Sequence, residues 1–270
     1  MNFLNHNQSK NHPAPVLFPK DTWKHKSRVV AIPLIALLIV GGIAWYGVRE
    51  RAVTQTMKKE FPVRLTEFLN RGDYQGAYQL IAVAQERYPK SAELRFIRAM
   101  VILEEGSASG NPEQFLSVAK NTETILQSIS NEGARVSGFH NMLGMALFAQ
   151  GKTDEALDHY AKALSLAPSY IPAYLSTAAA LESKGELSYA EKYYRRVVEL
   201  VSAYASKGAI DNEDAGKKFL AVGYFGLART AWYAEHDKKR AQEFAEKALG
   251  VKTSHAGLNN SITAFQELIK

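Results

Sequence analysis

The chain has 270 residues, 46% of them hydrophobic, and no cysteine. That is apolar material for a substantial core, and the missing thiols exclude a disulfide framework, a thiolate metal site, a cysteine nucleophile and a lipid-acylated anchor. The net charge of +6 comes from 33 basic residues interspersed with 27 acidic ones, a mild bias rather than the footprint of a nucleic-acid binder.

In chain order, residues 1–28 carry Asn, His, Gln, Ser and Pro, with no acidic residue before Asp21, and read as a flexible tail. "VVAIPLIALLIVGGIAWYGV", Val29 to Val48, then runs for 20 residues without a charge between Arg28 and Arg49. At about 1.5 Å per residue, such a helix spans a hydrocarbon core of about 30 Å. Trp45 and Tyr46 sit where amphipathic rings favour the headgroups, and Pro33 lies near the opposite end. The stretch exceeds a signal-peptide apolar region and no A-x-A-like site follows, so a retained single-pass anchor is expected. Lys20, Lys24, Lys26 and Arg28 on one side balance Arg49, Arg51, Lys58 and Lys59 on the other, so the positive-inside count ties. The common bacterial arrangement would place a short tail in the cytoplasm and the rest of the chain in the periplasm. Residues 49–57 form a linker or a continuation of the helix, and 58–270 form a helical repeat domain.

Within that domain, apolar and small residues recur with a period of 34. The clearest unit, Ser137 to Tyr170, carries Leu143, Gly144 and Leu147 in a first helix, a turn at Gly151, and Ala156, Tyr160 and Ala163 in a second helix before Pro168. Shifted by 34 residues come Ala178, Leu181, Gly185, Ala190, Tyr194 and Val197, with Ser202 in place of the proline. Upstream, Gly72, Ala77, Ile81, Ala84 and Pro89 repeat a second half, and "AELRFIRAMVILEEG" supplies another first helix with Ala99 and Ile102. "EEGSASGNPEQ" is expected to lengthen the following turn, with "GSASG" at 106–110 in the turn itself. A longer helix then follows over 112–129, with Phe115, Val118, Ala119, Thr122 and Ile125 inward. "SKGAIDNEDAGKK" makes a second interruption. From Phe219 a further pair carries Leu227 and Ala228, then Ala241, Ala245 and Ala248, with a turn one residue longer. Leu258, Ile262, Phe265 and Ile269 recur at helical spacing in a last segment that reads as a capping helix.

These positions resemble the tetratricopeptide repeat, a helix-turn-helix unit in which small residues let helices approach while large ones fill the gaps around each contact. The early tryptophan usual in that family is replaced here by His140 and by Tyr174. The resemblance implies an all-α solenoid of helix-turn-helix repeats, following the transmembrane helix and ending in a C-terminal cap.

No residue set points to chemistry. The seven histidines include no zinc-binding helical pair and no HExxH; His140 and His159 lie on the two helices of one unit and could approach each other, without further ligands nearby. There is no phosphate-cradling glycine loop and no G-x-S-x-G elbow. No catalytic residue, cofactor, metal ligand, small-molecule substrate or nucleic acid is therefore expected, and the chain reads as a binding protein. The concave face of a solenoid is lined by its first helices, which places Phe96, Met100, Asn141, Met142, Met145, Phe148, Leu175, Ala179 and Glu182 in a partner-binding groove, beside the small Ser176. Their apolar and small character suits an apolar helix or an extended segment, unless the domain fills the groove itself. The resemblance implies a scaffold or adaptor anchored in the bacterial inner membrane, serving a secretion, pilus or assembly complex. The alternative is a holdase for unfolded clients near a translocon.

Overall fold

The computed structural model describes residues 55–206 and 213–270. The expected tail, the Val29–Val48 membrane segment and most of the linker lie outside those residues. Among the described residues, no helix is long and apolar enough to cross a membrane.

Every described element is helical: α1 Gln55–Asn70, α2 Tyr74–Arg87, α3 Ala92–Ala108, α4 Pro112–Gln127, the short α5 Ser130–Gly133, α6 Ser137–Ala149, α7 Thr153–Leu166, α8 Ile171–Ser183, α9 Leu187–Ser206, α10 Glu213–Glu235, α11 Lys238–Gly250 and α12 Ala256–Leu268. They pack mainly as consecutive antiparallel pairs, so each pair buries its small-residue stripe against its own partner and the next pair. Side-chain caps mark several starts. Asp73 accepts from Gly76 N at 2.8 Å, Ser91 from Leu94 N at 3.2 Å and Asp237 from Arg240 N at 2.9 Å. Asn111 accepts from the amides of Glu113 and Gln114, with Pro112 in the first turn.

The turns inside three pairs share one backbone device. Gly151 adopts φ +79°, donates to Phe148 O at 2.9 Å, and lets Lys152 N reach Leu147 O at 3.0 Å. Gly185 and Gly72 repeat the arrangement. This closure satisfies the carbonyls that a helix end leaves unpaired, and it needs a left-handed residue that glycine supplies at least cost. In the α10–α11 turn the corresponding bond runs from Asp237 N to Ala231 O, one residue longer as the spacing predicts, and His236 takes the left-handed position at φ +53°.

The small residues occupy the helix contacts. Ala156, Ala163, Ala190, Ala241, Ala245 and Ala248 are all fully buried. A Cβ built on Gly144 would lie 2.5 Å from Tyr160 Cε1, and one on Gly226 would lie 2.4 Å from Tyr194 Cδ1. Tyr160 and Tyr194, one repeat apart, therefore rest on bare backbone. At the C-terminus α12 packs on α11 and buries Leu258, Ile262 and Phe265 in the core of the last pairs, with Phe265 edge-on to Phe225 of α10 at 5.6 Å between centroids. This segment covers the apolar face that the last repeat would otherwise expose.

Two interruptions differ from the sequence expectation. The 106–110 stretch is not all turn, because α3 continues to Ala108; Gly106 lies so close to Val118 of α4 that a Cβ would meet Val118 Cγ1 at 2.6 Å, and this close packing keeps the last turns helical. α10 begins at Glu213 rather than near Phe219, since Ala215, Lys218 and Phe219 bury side chains in its first turns. A short helix unforeseen in the sequence, α5, places Gly133 beneath the ring of Phe139.

Candidate partner-binding face

α3, α6, α8 and α10 are the first helices of successive pairs and carry the residues expected to line the concave face. Most of these side chains are buried rather than open to solvent. Met100 and Asn141 are fully inaccessible, Met142 and Leu175 nearly so, and Phe96 and Glu182 are also buried. Met145, Phe148 and Ala179 remain half-exposed. Asn141 turns its amide toward Met145, with Nδ2 3.5 Å from Sδ, which leaves its Oδ1 buried without a hydrogen-bond partner. The apolar composition that made these side chains candidates for a partner also suits them to be covered by their own chain.

Glu182 sits in a charged network instead of facing open groove. Arg229 of α10 grips it with two bonds, Nε to Oε1 and Nη2 to Oε2, both 2.7 Å. Tyr194 of α9 donates its hydroxyl to Glu182 Oε2 at 2.7 Å and accepts from Arg229 Nη2 at 3.2 Å. The guanidinium also lies 4.6 Å from the centroid of Phe225. Burial works against the Arg229 charge, but Glu182 and Tyr194 outweigh it and hold the group protonated beyond the usual arginine range. Burial and the Glu182 carboxylate push the Tyr194 phenol up, so it stays a donor. Such a bidentate pair gains both energy and direction from its fork geometry. No sequence signal joins Glu182 to Arg229, because the partners are 47 residues apart and only the stacking of α8 against α10 brings them together.

A second polar cluster was equally invisible in the sequence. Glu104 of α3 is 2% exposed, its Oε2 has no hydrogen-bond partner, and burial, offset only in part by Lys218, pushes its carboxyl up to about 8. Lys218 of α10 is 9% exposed, and burial pulls its ammonium down to about 8 against the opposing pull of Asp214 and Glu104. Asp214 is anchored by Ser254, accepting from its backbone N at 3.2 Å and its hydroxyl at 2.7 Å. Beside Glu104, Glu105 accepts from the Tyr78 hydroxyl at 2.6 Å.

His140 and His159 do meet, Nδ1 to Nδ1 at 3.1 Å. His140 Nε2 lies 3.1 Å from Ala134 O; a carbonyl only accepts, so the His140 proton sits on Nε2 and its Nδ1 receives the Nδ1–H of His159. The ring centroids are 5.3 Å apart with planes 26° from parallel, so the nitrogens meet nearly head-on, the geometry of a hydrogen bond rather than of two lone pairs converging on one ion. Burial lowers the affinity of both rings for a second proton. Among the described residues no three histidines or carboxylates gather as metal ligands.

Residues 139–170, the pair in which Gly144 underlies Tyr160, match the tetratricopeptide repeat family. This unit is similar to a tetratricopeptide repeat. The tetratricopeptide-repeat protein TTC0263 of Thermus thermophilus is similar in structure over 74% of this chain and 94% of its own, at 18% identity and a TM-score of 0.52. Two structures of the protein MamA align at 16% and 17% identity, over 71% and 69% of this chain and 89% and 93% of theirs, with TM-scores of 0.43. No curated protein matches the chain. At such identities the TTC0263 likeness speaks to fold alone, and it agrees with the helix order: an all-α solenoid of the tetratricopeptide type.

Proposed function

We propose that this chain is a protein-interaction scaffold, held to a bacterial inner membrane through Val29–Val48 and presenting its repeat domain in the periplasm to one defined partner of an envelope assembly complex. The observation that carries the reading is the tetratricopeptide unit at 139–170 inside a solenoid of such pairs, an architecture whose continuous faces serve recognition. The uncharged Val29–Val48 stretch supports the tether, and the half-exposed Met145 and Phe148 supply adaptable apolar contacts at the rim of the concave face. No catalytic role is assigned to any residue.

The test is crosslinking in intact cells, followed by detergent extraction and mass spectrometry. It compares the native chain with a Met145→Glu, Phe148→Glu variant, which alters the rim while sparing the inaccessible Met142. A single stoichiometric partner that the variant loses is the expected result. A broad set of unrelated, partly unfolded clients would replace the scaffold with a holdase. Deleting Val29–Val48 should release the protein into the soluble fraction, and its persistence in membranes would overturn the tether.

A further inference from the structure

His140 and His159 hold four ring nitrogens between them, and two bonds fix three of these. His140 on α6 is 9% exposed, and His159 on α7 is half-buried. His140 Nε2 lies 3.1 Å from Ala134 O, and the two Nδ1 atoms lie 3.1 Å apart. A carbonyl only accepts, so the neutral pair carries its protons on His140 Nε2 and His159 Nδ1. His140 Nδ1 is the acceptor between the rings, and His159 Nε2 is the nitrogen that neither bond uses.

This order dictates where further protons go. A first one enters at His159 Nε2, breaks neither bond and makes the link between the rings charge-assisted. A second has only His140 Nδ1 left. That atom gains a proton only by ceasing to accept from His159, after which two N–H groups and two positive charges face each other across 3.1 Å.

The surrounding charges favour the first proton over the second. Lys162 of α7 opposes protonation of both rings, whereas Asp158 of α7 and Glu123 of α4 favour it at His159. Glu123 is held in place by Gln150 and Lys152. α6 has no charged residue, Glu132 and Arg135 before it are exposed, and Glu182 of α8 is tied to Arg229. His140 stands one turn before Gly144, and His159 adjoins Tyr160, whose ring rests on the Gly144 backbone. Rings that repel one another here therefore strain the contact between α6 and α7.

We propose that His140 and His159 form a two-step proton switch inside the repeat unit: the pair keeps its bond through the first added proton, and the second breaks it and loosens α6, with its Met145 and Phe148 rim, from α7. A partner's response at that rim rests on the scaffold reading above; the switch itself does not.

Ring nitrogen-15 NMR of the full-length protein in detergent, without any partner, followed from about pH 8 downward, reads the proton on each nitrogen. At the start His159 should carry its proton on Nδ1 and His140 on Nε2. On acidification both rings should respond in the same two steps, with His159 Nε2 filling in the first and the second requiring at least about tenfold more acid. Amide hydrogen-exchange protection over 137–166 should fall about tenfold in the second step alone. His140→Phe and His159→Gln each leave a single ring and should titrate in one step without that fall. A single step down to acid unfolding, independent titration of the two rings, His159 Nδ1 unprotonated at the start, or the same loss of protection in the variants would each overturn the switch. Should the variants not fold, the titration of the native chain decides alone. A failure of the crosslinking experiment to find a partner leaves this measurement unaffected, and the reverse also holds.

Discussion

Gly144 has no side chain because Tyr160 occupies the space where one would begin. The would-be Cβ lies 2.5 Å and 2.7 Å from two ring carbons and 3.0 Å from the Ala156 carbonyl, and a ring that is 1% exposed has nowhere to retreat. Gly144→Ala should therefore overpack the α6–α7 contact and cost about 1–3 kcal/mol, read as a lower urea midpoint of the purified protein at unchanged slope. Gly226→Ala should behave alike against Tyr194. A midpoint unmoved in both variants would mean that the tyrosines can shift and that the small residues are not packing devices. At this scale the sequence was readable: Ala156 and Tyr160 recur 34 residues on as Ala190 and Tyr194, Ala178 stands in the place of Gly144, and each lies in the buried contact its spacing implies.

At the scale of elements, the α8–α10 contact depends on a charge network that no periodicity announces. Arg229→Ala removes both bonds to Glu182 and the one to Tyr194, leaving a buried carboxylate without its strongest cation. Breaking a buried pair from one side typically costs about 3–5 kcal/mol. Replacing both partners with apolar residues of similar size, Arg229→Met with Glu182→Met, should recover much of that loss, since the remaining carboxylate is what makes the single change expensive. Equilibrium denaturation of the native chain, both single variants and the double variant measures the coupling; strictly additive effects would show that the network has no energetic role. Glu182 was legible as a residue of the first-helix face but not as the centre of this network. Its position follows from the repeat period, whereas its partner is set by how the next pair stacks.

For the whole molecule, the buried charges of α3 and α10 give stability an unusual pH profile. Folded Glu104 keeps its proton to about 8 against an ordinary value of 4.5, so the folded state binds the extra proton across that window. The stability it contributes is fully present below about 4.5 and is lost as the pH rises to about 8. Lys218, lowered from 10.5 to about 8, has the opposite sign: its penalty is fully present below about 8 and is relieved between there and 10.5. Their combined contribution is least favourable near pH 8. His140, His159 and His255, whose affinity for protons is lowered chiefly by burial, oppose the Glu104 trend on the acid side, because their stability is lost as the pH falls below 6.5. Glu104→Gln isolates the first limb. Relative to the native chain the variant should gain stability as the pH rises from 5 toward 8, by at most about 1.4 kcal/mol per pH unit. Thermal midpoints of both proteins across that range provide the check, and a difference independent of pH would show that Glu104 ionises normally in the folded chain.

The sequence by itself determined the helical pairs, their left-handed glycine turns, the small residues at their contacts and the apolar stripe of the last helix. All of these are local, set by spacings within one or two turns or within one 34-residue period, and such spacings survive any stacking of the pairs. The ends of α3 and α10 were less legible, because Gly106 packs on Val118 of the following helix and Ala215 is buried, and neither contact shows in the local spacing. Only the tertiary structure decided that Phe96, Met100, Asn141 and Met142 are buried, that Arg229 finds Glu182, and that Glu104 and Lys218 lose their water. These contacts form where one pair stacks on the next, so they are a property of the stacked array that no single repeat encodes.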